Sequence, residues 1–113
     1  MYEIFVENGI AIQRIIVNLP LSSKAKRVML EFIYKEKTNL WTVSVYDAQS
    51  GDPYCLRVPL ISSRLYLNNL FAPFATKGIG DLVCIPIVDE PSSVNPSLNN
   101  WEEFALVWGE DLA

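Results

Sequence analysis

Hydrophobic and polar residues alternate with period two along most of this chain. The clearest case is residues 39–61, NLWTVSVYDAQSGDPYCLRVPLI. Trp41, Val43 and Val45 share one face there, with Thr42, Ser44 and Tyr46 on the other. Further on, Tyr54, Leu56, Val58 and Leu60 alternate with Cys55, Arg57, Pro59 and Ile61. Such alternation predicts two strands rather than a helix. The polar stretch 47–53 predicts the turn between them, with Gly51 free to take positive φ and Pro53 fixing the re-entry. Upstream, residues 27–35 alternate again, with Val28, Leu30, Phe32 and Tyr34 on one side, and residues 35–39 form a charged hairpin turn. Residues 2–6 and 10–19 predict two more strands around the turn signal Asn8-Gly9. In the second of these the period shifts near Arg14, which suggests a bulge.

The second half is less regular. In residues 62–74 the leucines do not alternate, Asn68-Asn69 interrupts, and Pro73 bars a long helix. A short helical turn or an extended loop fits this stretch, and a flexible turn fits 76–81. Residues 82–88, LVCIPIV, predict a strand covered on both faces, and Pro86 places it at an edge or a bulge. Residues 89–100 are a proline- and serine-rich loop, a length uncommon in compact domains unless it has a purpose. Residues 101–108 predict a last strand with Phe104, Leu106 and Trp108 on one face. About seven strands without a long amphipathic helix or a repeat predict one all-β domain over residues 1–113, an antiparallel barrel or sandwich. The expected core is Trp41, Val43, Val45, Leu56, Val58, Leu60, Phe104, Leu106 and Trp108.

Composition adds a constraint. Half of the 113 residues are hydrophobic and only 19% are charged, so apolar area is expected to lie exposed or against other subunits. A net charge of −4 argues against duplex nucleic acid, which requires a basic stripe. Lys24, Lys26, Arg27, Lys35 and Lys37 make the middle of the chain locally positive, read as a solvated loop and strand edge or as a contact with an acidic neighbour. No signal-peptide pattern follows Met1, and no apolar run has the length of a membrane span. The chain is expected to be cytosolic when made.

Candidate chemistry is sparse. The chain has no histidine, the commonest general base. Ser22-Ser23-Lys24 and Ser62-Ser63-Arg64 sit in turn contexts, and Lys77-Gly-Ile-Gly80 lacks the frame of a phosphate loop. Asp89-Glu90 and Glu102-Glu103 read as solvating carboxylates rather than cation ligands. Cys55 and Cys84 fit no zinc spacing and are expected to be buried free thiols. The expectation is therefore no catalysis, no cofactor and no metal. Trp41, Tyr46, Tyr54, Tyr66, Trp101 and Trp108 could stack bases in an oligonucleotide-binding barrel. Alternation instead assigns Trp41 and Trp108 to the core and leaves Tyr46 and Tyr66 for surface contacts.

The order Trp41-Thr-Val-Ser-Val-Tyr-Asp47, Gly51, Val58-Pro-Leu60, Leu65 and Leu67, Gly80-Asp-Leu82, Asp89, Pro91 and a terminal Phe104-Ala-Leu-Val-Trp108 resembles the cyanophage-type baseplate plug proteins of contractile-tailed phages. The resemblance covers most of the chain from about Gly9, and departs in residues 19–27 and 67–77. It implies a structural virion protein at the distal end of the tail tube, assembled in the host cytoplasm. Its neighbours would be hub, spike, tube and baseplate wedge proteins, in a homo-oligomeric ring, without membrane or specific nucleic-acid binding. The expected subunit contacts are Arg64, Leu65, Tyr66, Leu67, Leu70, Phe71 and Phe74 in residues 62–77. In the long loop they are Pro91, Val94, Leu98 and Trp101, with Tyr46 beside them. The alternative is a stand-alone β-barrel module binding oligonucleotide or peptide.

Overall fold

A computed structural model describes residues 2–22, 26–64 and 67–112. Its strands are β1 (Tyr2–Ile4), β2 (Ile12–Asn18), β3 (Arg27–Lys35), β4 (Leu40–Asp47), β5 (Pro53–Pro59), β6 (Asp81–Pro86) and β7 (Phe104–Gly109). They form two antiparallel sheets, one of order β2-β3-β4-β5 and one of order β1-β7-β6. This is a small all-β sandwich and not a closed barrel. Two short 3-10 helices, Ala72–Lys77 and Trp101–Glu103, lie in the connections.

The core lies between the sheets and follows the alternation. Val28, Leu30 and Phe32 of β3 meet Trp41, Val43 and Val45 of β4, and these face Leu82, Cys84, Phe104, Leu106 and Trp108 of the smaller sheet. Trp41 and Trp108 are fully enclosed, and each indole N–H donates to a loop carbonyl: Trp41 to Ser97 (2.8 Å) and Trp108 to Ile79 (2.7 Å). Most buried indoles find such a partner; Trp101 Nε1 is buried without one among the described residues. Gly51 has φ +78°, as its turn requires.

The core expectation fails at one residue. Leu56 is exposed and Cys55 is buried in its place. Val43 pairs with Val58 and Val45 with Cys55, so Leu56 and Arg57 together oppose Ser44 alone. Arg57 takes φ +54°, and its N–H donates to Ser44 Oγ (2.9 Å). This β-bulge reverses the faces of β5 before Val58. The bulge expected near Arg14 is absent, because β2 pairs with β3 in unbroken register from Ile12↔Ile33 to Asn18↔Arg27. The blurred period there has another cause: β2 is an edge strand with apolar residues on both faces. The last strand begins at Phe104, since Trp101–Glu103 winds as a 3-10 turn. Leu82, Val83 and Cys84 are all buried, so β6 is covered on both faces, and it ends at Pro86 on a sheet edge.

Candidate functional site

Three residues of the expected contact set converge. Arg64, Pro91 and Val94 line one concavity of about 410 Å³, together with Ser62, Pro86, Ser92 and Ser93. Val94 is 82% exposed at its rim, and the neighbouring Ile87 and Val88 are exposed as well. Arg64 is held across the opening by a hydrogen bond from Nη2 to Val88 O (3.2 Å).

The long loop is fixed from within. Asn100, itself buried, accepts from Ser97 N–H (2.7 Å) and Ser97 Oγ (2.9 Å), and its amide donates to Ser92 Oγ (3.1 Å) and Ser93 Oγ (2.7 Å). Glu103 accepts from Ser92 N–H and Oγ (3.0 and 2.6 Å), and these bonds hold its carboxyl below its usual range. Ser62 ties the two segments together, its N–H to Asn95 Oδ1 (2.9 Å) and its hydroxyl to Val94 O (2.6 Å). Side chains held in this way lose little entropy when a partner arrives. The pocket combines Pro86, Pro91 and Val94 with serine hydroxyls and one guanidinium, suited to an apolar anchor beside a carboxylate or carbonyl.

Three other expected contacts are turned inward. Leu70, Phe71 and Trp101 are buried. Phe71 packs edge-on to Trp108 (6.3 Å between centroids), and Trp101 packs on Trp41 (6.1 Å). Phe74 and Leu98 are partly buried against the same core, Leu67 is exposed, and Tyr46 is half-buried on β4. Leu65 and Tyr66 lie outside the described residues.

The cause of the correction at Leu70 and Phe71 is Asn69. Its Oδ1 accepts from Phe71 N–H (2.9 Å) and Leu82 N–H (3.0 Å), and its amide donates to Asp81 (2.9 Å). Leu70 N–H adds a bond to Leu82 O (2.7 Å). The segment is thus laced along the β6 edge and its apolar side chains turn inward. Asn69 and Asn100 had a signal in the sequence, since each ends an Asn-Asn pair in an irregular stretch and asparagine side chains commonly bond nearby backbone in turns.

Burial pushes the Cys84 thiol up to about 12 and Cys55 to about 11, which leaves both protonated and unreactive at neutral pH. Among the described residues no cluster of side chains could hold a metal ion, and no helix is long and apolar enough to cross a membrane. No protein-family model matches this chain, and no curated protein matches it.

One charged pair braces the β4–β5 turn. Asp47 Oδ2 meets Lys26 Nζ at 2.8 Å, and Oδ1 accepts from Gln49 N–H (2.8 Å) and Ser50 N–H (3.0 Å). Lys26, then the Ser50 and Gln49 amides, hold the Asp47 carboxyl well below the ordinary 3.8, while Asp47 and then Tyr54 raise Lys26 above 10.5. A lowered carboxyl stabilises fully above its unfolded value and loses that contribution as pH falls. A raised amine stabilises fully below its unfolded value and loses it as pH rises. Stability from this pair is therefore flat between the two ordinary values. In urea titrations from neutral to about pH 2, the gap between wild type and Asp47→Asn should close on the acid side. A gap independent of pH would contradict this.

Proposed function

We propose that this chain is a structural component of a contractile phage tail. In this reading it is a plug or hub-associated protein at the distal end of the tail tube, working by assembly and without turnover. The observation that supports it is the braced concavity of Arg64, Pro91 and Val94, a socket of prolines, valine and serines with one guanidinium, whose Ser92 hydroxyl is engaged in holding the loop through Glu103. Several residues of the tail-protein resemblance also fall where they set the fold. Trp41, Val43, Val45, Val58 and Leu60 lie in the core, and Asp47 pins the turn. Burial of Trp41, Trp101 and Trp108 removes the largest stacking surfaces from the oligonucleotide-binding alternative.

The test is light scattering of the purified chain, alone and mixed with candidate hub, spike, tube and wedge proteins. A complex is expected, and Val94→Glu should weaken it by roughly 30-fold or more if Val94 is an anchor. Val94 is exposed, so its replacement should leave the melting temperature unchanged. A monomer indifferent to every tail component, or absence of the chain from mature particles, would sink this reading.

A further inference from the structure

A sheet edge is an open template for another strand, and folded proteins guard their edges. Three of the four edges here are guarded. β5 has Pro53 and Pro59 at its ends and a bulge between them. The outer edge of β6 is taken by Ser63 N–H to Cys84 O (3.1 Å) and Leu70 N–H to Leu82 O (2.7 Å). β1 spans only Tyr2–Ile4.

β2 is different. It is regular, free of proline and bulge, and in continuous register with β3. The bonds Tyr34 N–H to Ala11 O (2.8 Å) and Leu19 N–H to Lys26 O (2.7 Å) fix the phase of the ladder. The odd residues of β2 bond to β3, and the backbone groups of Ile12, Arg14, Ile16 and Asn18 point outward. An open groove of about 800 Å³ runs from Ile16–Leu21 to Tyr2 of β1, so the end of this edge has room beside it. Ile12 and Ile16 are 56% and 55% exposed.

We propose that β2 pairs antiparallel with β2 of a second copy of this chain, across a two-fold axis at Arg14. The occupant follows from the other edges: a second copy pairing by a strand has only its own β2 to offer, so the contact is isologous. The side chains are self-complementary about Arg14, with Ile12 opposite the partner's Ile16 and Ile16 opposite the partner's Ile12. The single charge is already compensated, since Arg14 Nε bonds Glu31 Oε2 at 2.7 Å. The row Glu31, Arg14, the partner's Arg14, the partner's Glu31 sums to zero. That limits the cost of placing like charges opposite one another. A shift by two residues seats Ile12 against Asn18 or against Arg14 and loses this match. One strand pair buries less than a standard interface of about 1,200–2,000 Å², so association depends on concentration. This pairing rests on the edges alone and does not require the tail reading.

The test uses the full chain. Sedimentation over a concentration series should give a monomer–dimer equilibrium, and Ile16→Lys, at an exposed edge position, should abolish the dimer with the melting temperature retained. Arg14→Cys should form a covalent dimer on mild oxidation, because only position 14 faces itself at about 5.5 Å between Cα atoms. Ile12→Cys should not. Monomer at every concentration, a dimer untouched by Ile16→Lys, or cross-linking at 12 in place of 14 would each overturn the pairing.

Discussion

Trp41→Ala is expected to destabilise the protein by about 3–5 kcal/mol, the usual cost of removing a fully buried large aromatic. Trp41 has no exposed surface, and its ring lies 5.5 Å from Tyr34 and 6.1 Å from Trp101. The deletion therefore leaves a cavity between the four-stranded sheet and the long loop. It also removes the donor to Ser97 O, and an orphaned carbonyl there adds to the loss. In thermal unfolding the midpoint should fall by roughly 15 °C or more. Trp41→Phe separates the two parts, since it keeps most of the ring and loses the N–H. It should cost about 1–2 kcal/mol and speed amide exchange in residues 89–100 more than in β3. Equal protection of loop and sheet in that variant would show that the indole bond does not hold the loop.

Gly80→Ala should cost about 2–4 kcal/mol, the sum of left-handed backbone strain and a clash that must be relieved. Gly80 has φ +84°, and a Cβ there would stand 2.6 Å from Gly109 O and 2.9 Å from Leu21 Cδ2. The leucine methyl can swing aside. The carbonyl cannot, because Gly109 pairs with Asp81 at the end of the β6–β7 ladder. Gly51→Ala is the control: it has φ +78° and nothing within 4 Å of the new atom, so only the strain remains, about 1 kcal/mol. Chemical denaturation of both variants gives the comparison. Equal losses would mean that the contact with β7 is relieved without cost.

The same two positions show what could be read from sequence. Alternation around Trp41 placed its ring inside, because period two admits only one buried face per strand. The glycine at 80 was legible as a turn, but the close approach of β7 was not, since Gly109 lies far along the chain. The candidate socket was legible in part. Arg64, Pro91 and Val94 stand in irregular stretches, which is where contacts collect. Leu70, Phe71 and Trp101 stand in the same stretches and look the same by type, yet they pack inward. An apolar residue in a loop carries no periodicity to say whether it meets its own core or a neighbour.

By itself the sequence determined the strands, the core face of β3, β4 and β7, and the all-β class. Each of these follows from side chains that alternate along a pleated backbone. Only the tertiary structure decided that the sheets stay open as a sandwich. It also decided that a bulge at Leu56 and Arg57 exchanges the faces of β5, and that Asn69 folds residues 67–71 against β6. Those outcomes depend on hydrogen bonds between groups distant in the chain, such as Asn69 with Leu82. Hydrophobic pattern does not encode such bonds, because the donors are backbone amides that every residue but proline carries.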